Sequence, residues 1–239
     1  MKILFYPSVE QVERDGLPGV HAVIIDVLRT SSTVVAALEN GAQGIIPAED
    51  IETACRLARQ ADRSVKVLAG ERKGIQIEGF DLGNSPLEYT KAATGGKTVI
   101  LTTTNGTRGI AAASKARRIV LCSINNLGAT ARSVRNAAAL AIICCGTEGG
   151  MAAEDMLCGG MLLDLLGGGV GREALGDAAG LALRLARGTG EEIEPLLRGC
   201  DSGRMLIRMG RVADVTYCAR RDISIVVPEM KQGVIRVAG

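Results

Sequence analysis

The chain has no Trp, and only three Tyr and two Phe in 239 residues. Stacking of nucleobases on aromatic side chains therefore has almost nothing to work with. A formal net charge of +2 gives no broad basic field for a polyanion either. Nucleic acid is not expected as a partner. There is one histidine, His21, so neither a phosphohistidine relay nor a His-rich bimetal centre can be assembled. The seven cysteines include no C-x-x-C pair, which argues against a structural zinc site. Their odd number and scattered positions (Cys55, Cys158, Cys218) fit reduced, buried thiols and a cytoplasmic protein. No apolar run approaches the roughly 20 residues that span a bilayer. The opening M-K-I-L-F-Y-P-S is apolar only briefly before Pro7 and reads as a first strand, not a leader.

What is present is a repeated alternation of short apolar runs with longer Ala-rich ones. This is the pattern of strand–helix units around a mostly parallel or mixed sheet, and it predicts an α/β protein. Three such units stand out: V-I-I-D-V-L-R-T-S-S-T-V-V-A-A-L from Val23, V-I-L-T-T-T-N-G-T-R-G-I-A-A-A from Val99, and A-L-A-I-I-C-C-G-T-E-G-G from Ala139. The first two also leave their helices alike, into Gly44-Ile45-Ile46 and Arg118-Ile119-Val120. That likeness allows an internal repeat, although ordinary strand–helix recurrence produces much the same pattern. Residues 1–239 are read as one domain, with two similar α/β halves as the variant. The Ala- and Gly-rich stretch from Gly159 to Gly190 suits tight packing within the domain or against a second copy, so a homo-oligomer is allowed.

Each unit has a polar or Gly-rich turn where its strand becomes a helix. In open parallel sheets ligands bind outside the carboxyl ends of strands. Helix N-termini there present free N–H groups and partial positive charge, which favours anions. One N-cap needs one hydroxyl. Thr30, Ser31, Ser32 and Thr33 exceed that, and Asp26 and Arg29 stand beside them; Thr104, Asn105, Gly106, Thr107 and Arg108 form a similar excess. Between the units lies G-E-R-K-G-I-Q-I-E-G-F-D-L-G-N-S-P, from Gly70 to Pro86, read either as a functional loop or as a solvated excursion.

Carboxylates at these turns (Asp26, Glu71, Asp81, Glu148) suit a hard cation such as Mg²⁺. The cations and donors beside them suit a small anionic, phosphorylated substrate. Several phosphate chemistries fail on spacing. Gly95-Gly96-Lys97-Thr98 resembles the end of a P-loop, but Lys91 occupies the position of its first Gly and a strand follows where one should precede. No Cys stands six residues before an Arg, as a thiolate phosphatase requires, and Asp26-Val27-Leu28 is not D-x-D.

Taken as a set, D-V-L-R-T-S-S-T, G-E-R-K-G…G-F-D-L-G-N-S-P-L-E-Y, T-T-T-N-G-T-R and C-G-T-E-G…E-D-M-L-C-G-G resemble the 2-phosphosulfolactate phosphatase family across nearly the whole chain. The resemblance implies a three-layer α/β/α fold and Mg²⁺-dependent hydrolysis of 2-phosphosulfolactate to 3-sulfolactate and phosphate, a step of coenzyme M biosynthesis. Alternatives are another small phosphorylated hydroxy acid as substrate, or a non-catalytic anion-binding module. The expected catalytic groups are Asp26, Arg29 and Arg108, with Mg²⁺ held by two or three of Asp26, Glu71, Asp81 and Glu148. Thr30, Ser31, Ser32, Arg72, Lys73, Asn84, Thr104, Asn105, Gly106, Thr107, Gly146, Thr147 and Arg204 are expected to bind substrate. Arg204 reads equally well as a surface residue, and Glu154 and Asp155 as complements to a helix dipole.

Overall fold

The fold was described from a computed structural model covering residues 1–13, 17–60, 65–167 and 176–239. Its strands are β1 (Lys2–Tyr6), β2 (His21–Ile25), β3 (Gly44–Pro47), β4 (Lys66–Arg72), β5 (Ile75–Gln76), β6 (Thr98–Thr102), β7 (Arg118–Cys122), β8 (Ala139–Cys144), β9 (Pro228–Lys231) and β10 (Val234–Val237). Among the described residues the helices are α1 (Thr30–Glu39), α2 (Ile51–Arg59), α3 (Lys91–Thr94), α4 (Gly106–Ala112), α5 (Leu127–Val134), α6 (Ala153–Leu166), α7 (Asp177–Thr189), α8 (Ile193–Gly199), α9 (Asp201–Arg208) and α10 (Val212–Cys218).

All ten strands join one mixed sheet in the order β1-β8-β2-β7-β9-β10-β3-β6-β4-β5. The strands β1, β8, β2 and β7 are parallel to one another, as are β3, β6 and β4. The antiparallel hairpin β9–β10 lies between the two blocks, pairing β7 on one side and β3 on the other. Three antiparallel steps therefore separate β7 from β3, and the blocks run in opposite directions. Outward from the hairpin the order is β7, β2, β8 on one side and β3, β6, β4 on the other. The element order β2-α1-β3-α2-β4 recurs as β6-α4-β7-α5-β8. In each run the first strand lies in the opposite block from the other two.

Side chains alternate between the faces of a strand, and the runs 22–25, 119–122 and 140–144 are apolar and buried at every position because both faces are covered. One face forms a continuous core: Ile24, Ile45, Val67, Val99, Leu101, Ile119, Leu121, Ile143 and Ile235 pack with Val34, Ala37 and Leu38 of α1 and Ile110 of α4. The other face divides. Val23, Ile25, Val120 and Ile142 meet Leu127 of α5 and Leu157 and Leu162 of α6, while Ile100 meets Ala54 and Ala58 of α2. The result is the three-layer α/β/α arrangement expected from the sequence. Helix α1 is buried at every position from Thr30 to Leu38, so it has no solvent face.

The stretch from Gly159 to Gly190 packs within the chain as far as it is described; residues 168–175 lie outside the described residues. A Cβ on Gly160 of α6 would sit 1.9 Å from the Ala182 carbonyl oxygen of α7. This close backbone approach is why glycine occupies the crossing.

Candidate active site

The turns after β2, β4, β6 and β8 converge on one cavity of about 410 Å³. Its walls carry Asp26, Leu28, Arg29 and Thr30 from the first turn, Glu71, Lys73 and Gly74 from the β4–β5 turn, and Asn84. Thr104, Asn105 and Arg108 come from the third turn and Thr147, Glu148 and Gly149 from the fourth, while Ser202, Met205, Leu206 and Met209 come from α9 and its end. The sequence pattern suggested a single carboxyl edge. The structure instead draws turns from two opposed blocks together, because α4 packs back across the neighbouring block. A Cβ on Gly109 of α4 would meet Cys145 Sγ at 2.6 Å and Ile24 Cγ2 at 3.1 Å.

The N-termini of α1 and α4 abut. Asp26 closes the start of α1: its Oδ1 accepts the Thr30 N–H at 3.1 Å and its carbonyl accepts the Ser31 N–H at 2.8 Å. Thr103 takes the matching place at α4, accepting the Thr107 N–H at 3.3 Å. The hydroxyls of Thr30 and Thr103 lie 3.3 Å apart. A Cβ on Gly106 would stand 2.5 Å from Thr30 Cβ, so only glycine fits at this contact.

Two further carboxylates fasten the turns. Asp155 accepts the N–H groups of Val27 at 2.8 Å and Gly146 at 3.0 Å. Glu71 accepts those of Thr104 at 2.7 Å and Gly74 at 2.7 Å. Val27 and Thr104 occupy corresponding places, two residues beyond β2 and β6. Val27 is held by a carboxylate from the start of α6, later in the chain, and Thr104 by one from the end of β4, earlier in it.

These acids are buried near one another. Burial raises the Asp26 carboxyl from 3.8 to about 6; the Thr30 hydrogen bonds oppose the shift, and the nearby charges of Glu71 and Glu154 add to it. Asp155 is pushed well above the ordinary carboxylate range by burial and then by Glu154 and Asp26, against the two N–H groups it accepts. Burial also drives the thiols of Cys144 and Cys145 upward, so both are inert core groups.

Thr30, Lys73, Asn84, Thr104, Asn105, Thr147 and Glu148 reach the cavity as expected. Arg29 and Arg108 reach it too, already engaged. Arg29 pairs with Asp214 at 2.6 Å and donates to the Gly74 carbonyl at 3.0 Å, while Arg108 pairs with Glu10 at 2.7 Å. The hydroxyls of Ser31, Ser32 and Thr107 turn inward to the carbonyls of Ile24, Val27 and Thr103. Gly106 packs on Thr30, and Gly146 serves Asp155. Arg72 is not in the cavity wall; it braces the Thr102 hydroxyl and the Glu71 carbonyl. Arg204 lies in an adjoining cavity and pairs with Asp201.

Asp81 is elsewhere. Its Oδ2 accepts the Leu68 N–H at 2.8 Å, and it faces a separate, larger cavity of about 680 Å³ with Arg59, Lys66 and Lys97. Of the four candidate metal ligands, two or three of which are expected to act together, Asp26, Glu71 and Glu148 line the site cavity and Asp81 does not. Among the described residues, no group of three or more His, Cys, Asp or Glu side chains is arranged to hold a metal ion. Mg²⁺, however, commonly takes only one or two carboxylates and keeps waters and substrate oxygens. The cavity fits that mode: its wall carries the buried Asp26 carboxylate, and the buried Asn84 Oδ1 beside it lacks a partner. From the sequence, Asp155 reads only as a complement to a helix dipole and α9 enters only through Arg204; their contacts with the site, and that of Asp214 with Arg29, join residues far apart in the chain.

A family model described as 2-phosphosulpholactate phosphatase matches residues 6–233. Relatives named "Probable 2-phosphosulfolactate phosphatase" include one from Caldicellulosiruptor saccharolyticus, 40% identical over 98% of this chain and 99% of its own. Another from Clostridium acetobutylicum is 34% identical over 98% and 100%, and one from Thermotoga maritima is 37% identical over 89% and 90%. With the match running through every turn that lines the cavity, the chain belongs to the 2-phosphosulpholactate phosphatase family.

Proposed function

We propose that this chain is a phosphoric monoester hydrolase that converts 2-phosphosulfolactate to 3-sulfolactate and phosphate with Mg²⁺, as a step toward coenzyme M in the cytoplasm. The observation that supports the reading best is the meeting of the α1 and α4 N-termini around Asp26 inside one cavity. Paired helix N-termini favour the phosphoryl group. No helix among the described residues is long and apolar enough to cross a membrane.

In this reading Asp26 and Asn84 would hold the metal, which when bound would supply neutralisation of phosphoryl oxygens and activation of a water. Thr30 and Ser31 orient Asp26 through the start of α1. Glu71 and Asp155 hold the turns at Thr104 and Val27, which keeps the two helix ends at fixed separation. Lys73 and Arg108 stand at the cavity as cations for the substrate's remaining acidic groups. Arg29, locked to Asp214, fixes the β4–β5 turn through Gly74.

The test is turnover of 2-phosphosulfolactate by the purified chain with Mg²⁺ and then with excess chelator. Phosphate release should require the metal, and Asp26→Asn should abolish it while far-ultraviolet circular dichroism is unchanged. Full activity in the Asn variant would reduce Asp26 to a helix cap. Single turnover in ¹⁸O-water that leaves label in Asp26 and not in phosphate would overturn direct attack of water at phosphorus in favour of an aspartyl phosphate.

A further inference from the structure

A second cavity of about 540 Å³ opens beside the first and shares Thr147, Glu148, Ser202 and Met205 with it. Its remaining wall is the start of α6, with Ala152, Ala153 and Glu154, and the outer side of α9, with Arg204 and Arg208. The shared wall carries a hydroxyl pair, Thr147 Oγ1 and Ser202 Oγ, 3.2 Å apart. The two cavities thus form one groove with polar donors at the junction.

Most cations around this groove are already committed. Arg29 pairs with Asp214, Arg108 with Glu10 and Arg204 with Asp201. Among the described residues, Lys73 and Arg208 line the groove without an ion pair or hydrogen bond. They belong to different compartments, Lys73 to the first and Arg208 to the second. Of the acids of the second compartment, Asp201 is held by Arg204, Glu154 is buried beside the Cys200 thiol, which burial first and that carboxylate next push up to about 12, and Glu148 stands on the wall shared with the first compartment.

We propose that the second compartment receives the sulfonate arm of the substrate, with Arg208 as its cation and the Thr147–Ser202 pair as its donors. The proposal rests on 2-phosphosulfolactate being the substrate. The phosphate is on the central carbon and belongs at the helix ends beside Asp26. The carboxylate is attached directly to that carbon and stays in the first compartment. The sulfonate is one methylene further out and reaches the second. A sulfonate is a very weak base, so it stays charged and is recognised by a cation and donors. Arg208 thereby sets specificity for the arm and takes no part in the displacement at phosphorus.

The test is steady-state kinetics of the Mg²⁺-loaded full chain with three esters. These are 2-phosphosulfolactate, 2-phospholactate (no sulfonate) and 2-phosphooxyethanesulfonate (no carboxylate). Arg208→Gln is expected to lower kcat/KM about tenfold on both sulfonates, mainly through KM, in line with loss of one charge-assisted contact. The change on 2-phospholactate is expected to be less than twofold, and Arg208→Lys should recover part of the loss. An equal loss on all three esters, or no loss on any, would overturn the assignment. Wild-type protein that turns over 2-phospholactate but neither sulfonate would instead overturn the substrate reading, and this inference with it.

Discussion

Asp26 is a carboxylate whose ionised form the metal-free fold disfavours. Its folded pKa is about 6 against an ordinary 3.8, with burial as the main cause. Between those values the folded chain keeps a proton that the unfolded chain has released. Stability from this group is therefore fully present below pH 4 and is lost as pH rises through 6. The gap of about two pH units corresponds to about 2–3 kcal/mol at neutral pH. Asp26→Asn keeps an oxygen for the Thr30 N–H and removes the charge, so the metal-free variant should melt roughly 5 °C higher than wild type at pH 7.5. The two should converge at pH 4, and Mg²⁺ should raise the melting temperature of wild type only. Thermal scans at the two pH values check this, and an Asn variant that melts lower at pH 7.5 would refute it. Asp26 was legible in the sequence because its role is set within five residues, by a strand end and a helix start. The directions of the Ser31, Ser32 and Thr107 hydroxyls were not, since they follow from α1 having no solvent face and from α4 lying against it. Nor was the partner of Arg29, which stands 185 residues away at Asp214.

At the scale of elements, the contact between α1 and α4 makes the site. Strand–turn–helix alternation could be read from periodicity, because each unit is local. The opposed directions of the two blocks could not, because they are imposed by a hairpin at residues 228–237 that pairs with strands far back in the chain. Gly106 is where this long-range geometry acts on a single residue. A methyl group there would stand 2.5 Å from Thr30 Cβ, Cγ2 and, at 2.6 Å, Oγ1. Both neighbours are buried helix starts with nowhere to retreat. Gly106→Ala is expected to lose about 1–3 kcal/mol of stability through overpacking. It should also lose activity beyond what the residual folded fraction explains, because the helix ends that face the phosphoryl group are forced apart. Urea titration alongside kcat/KM separates the two effects. Wild-type kcat/KM per folded molecule would show that the separation of the helix ends is not critical.

Considered whole, the chain ties its halves together three times. The run β2-α1-β3 passes from one block to the other, the run β6-α4-β7 passes back, and the β9–β10 hairpin pairs with both. Each block contains the leading strand of the other block's run, so neither can form its pairing from a contiguous half of the sequence. The apolar core on the α1 and α4 face is continuous across both blocks. The two α/β halves that the sequence allows as a variant of one domain should therefore unfold together. Calorimetry of the full chain is expected to give one transition with equal calorimetric and van't Hoff enthalpies. Ending the chain after Val227 removes β9 and β10 and leaves β7 and β3 with unpaired edges facing each other, which favours aggregation. That truncated chain should be insoluble or should show no cooperative transition. Two resolved transitions in the full chain, or a soluble truncated chain that melts cooperatively and binds Mg²⁺, would show instead that the blocks fold as independent units.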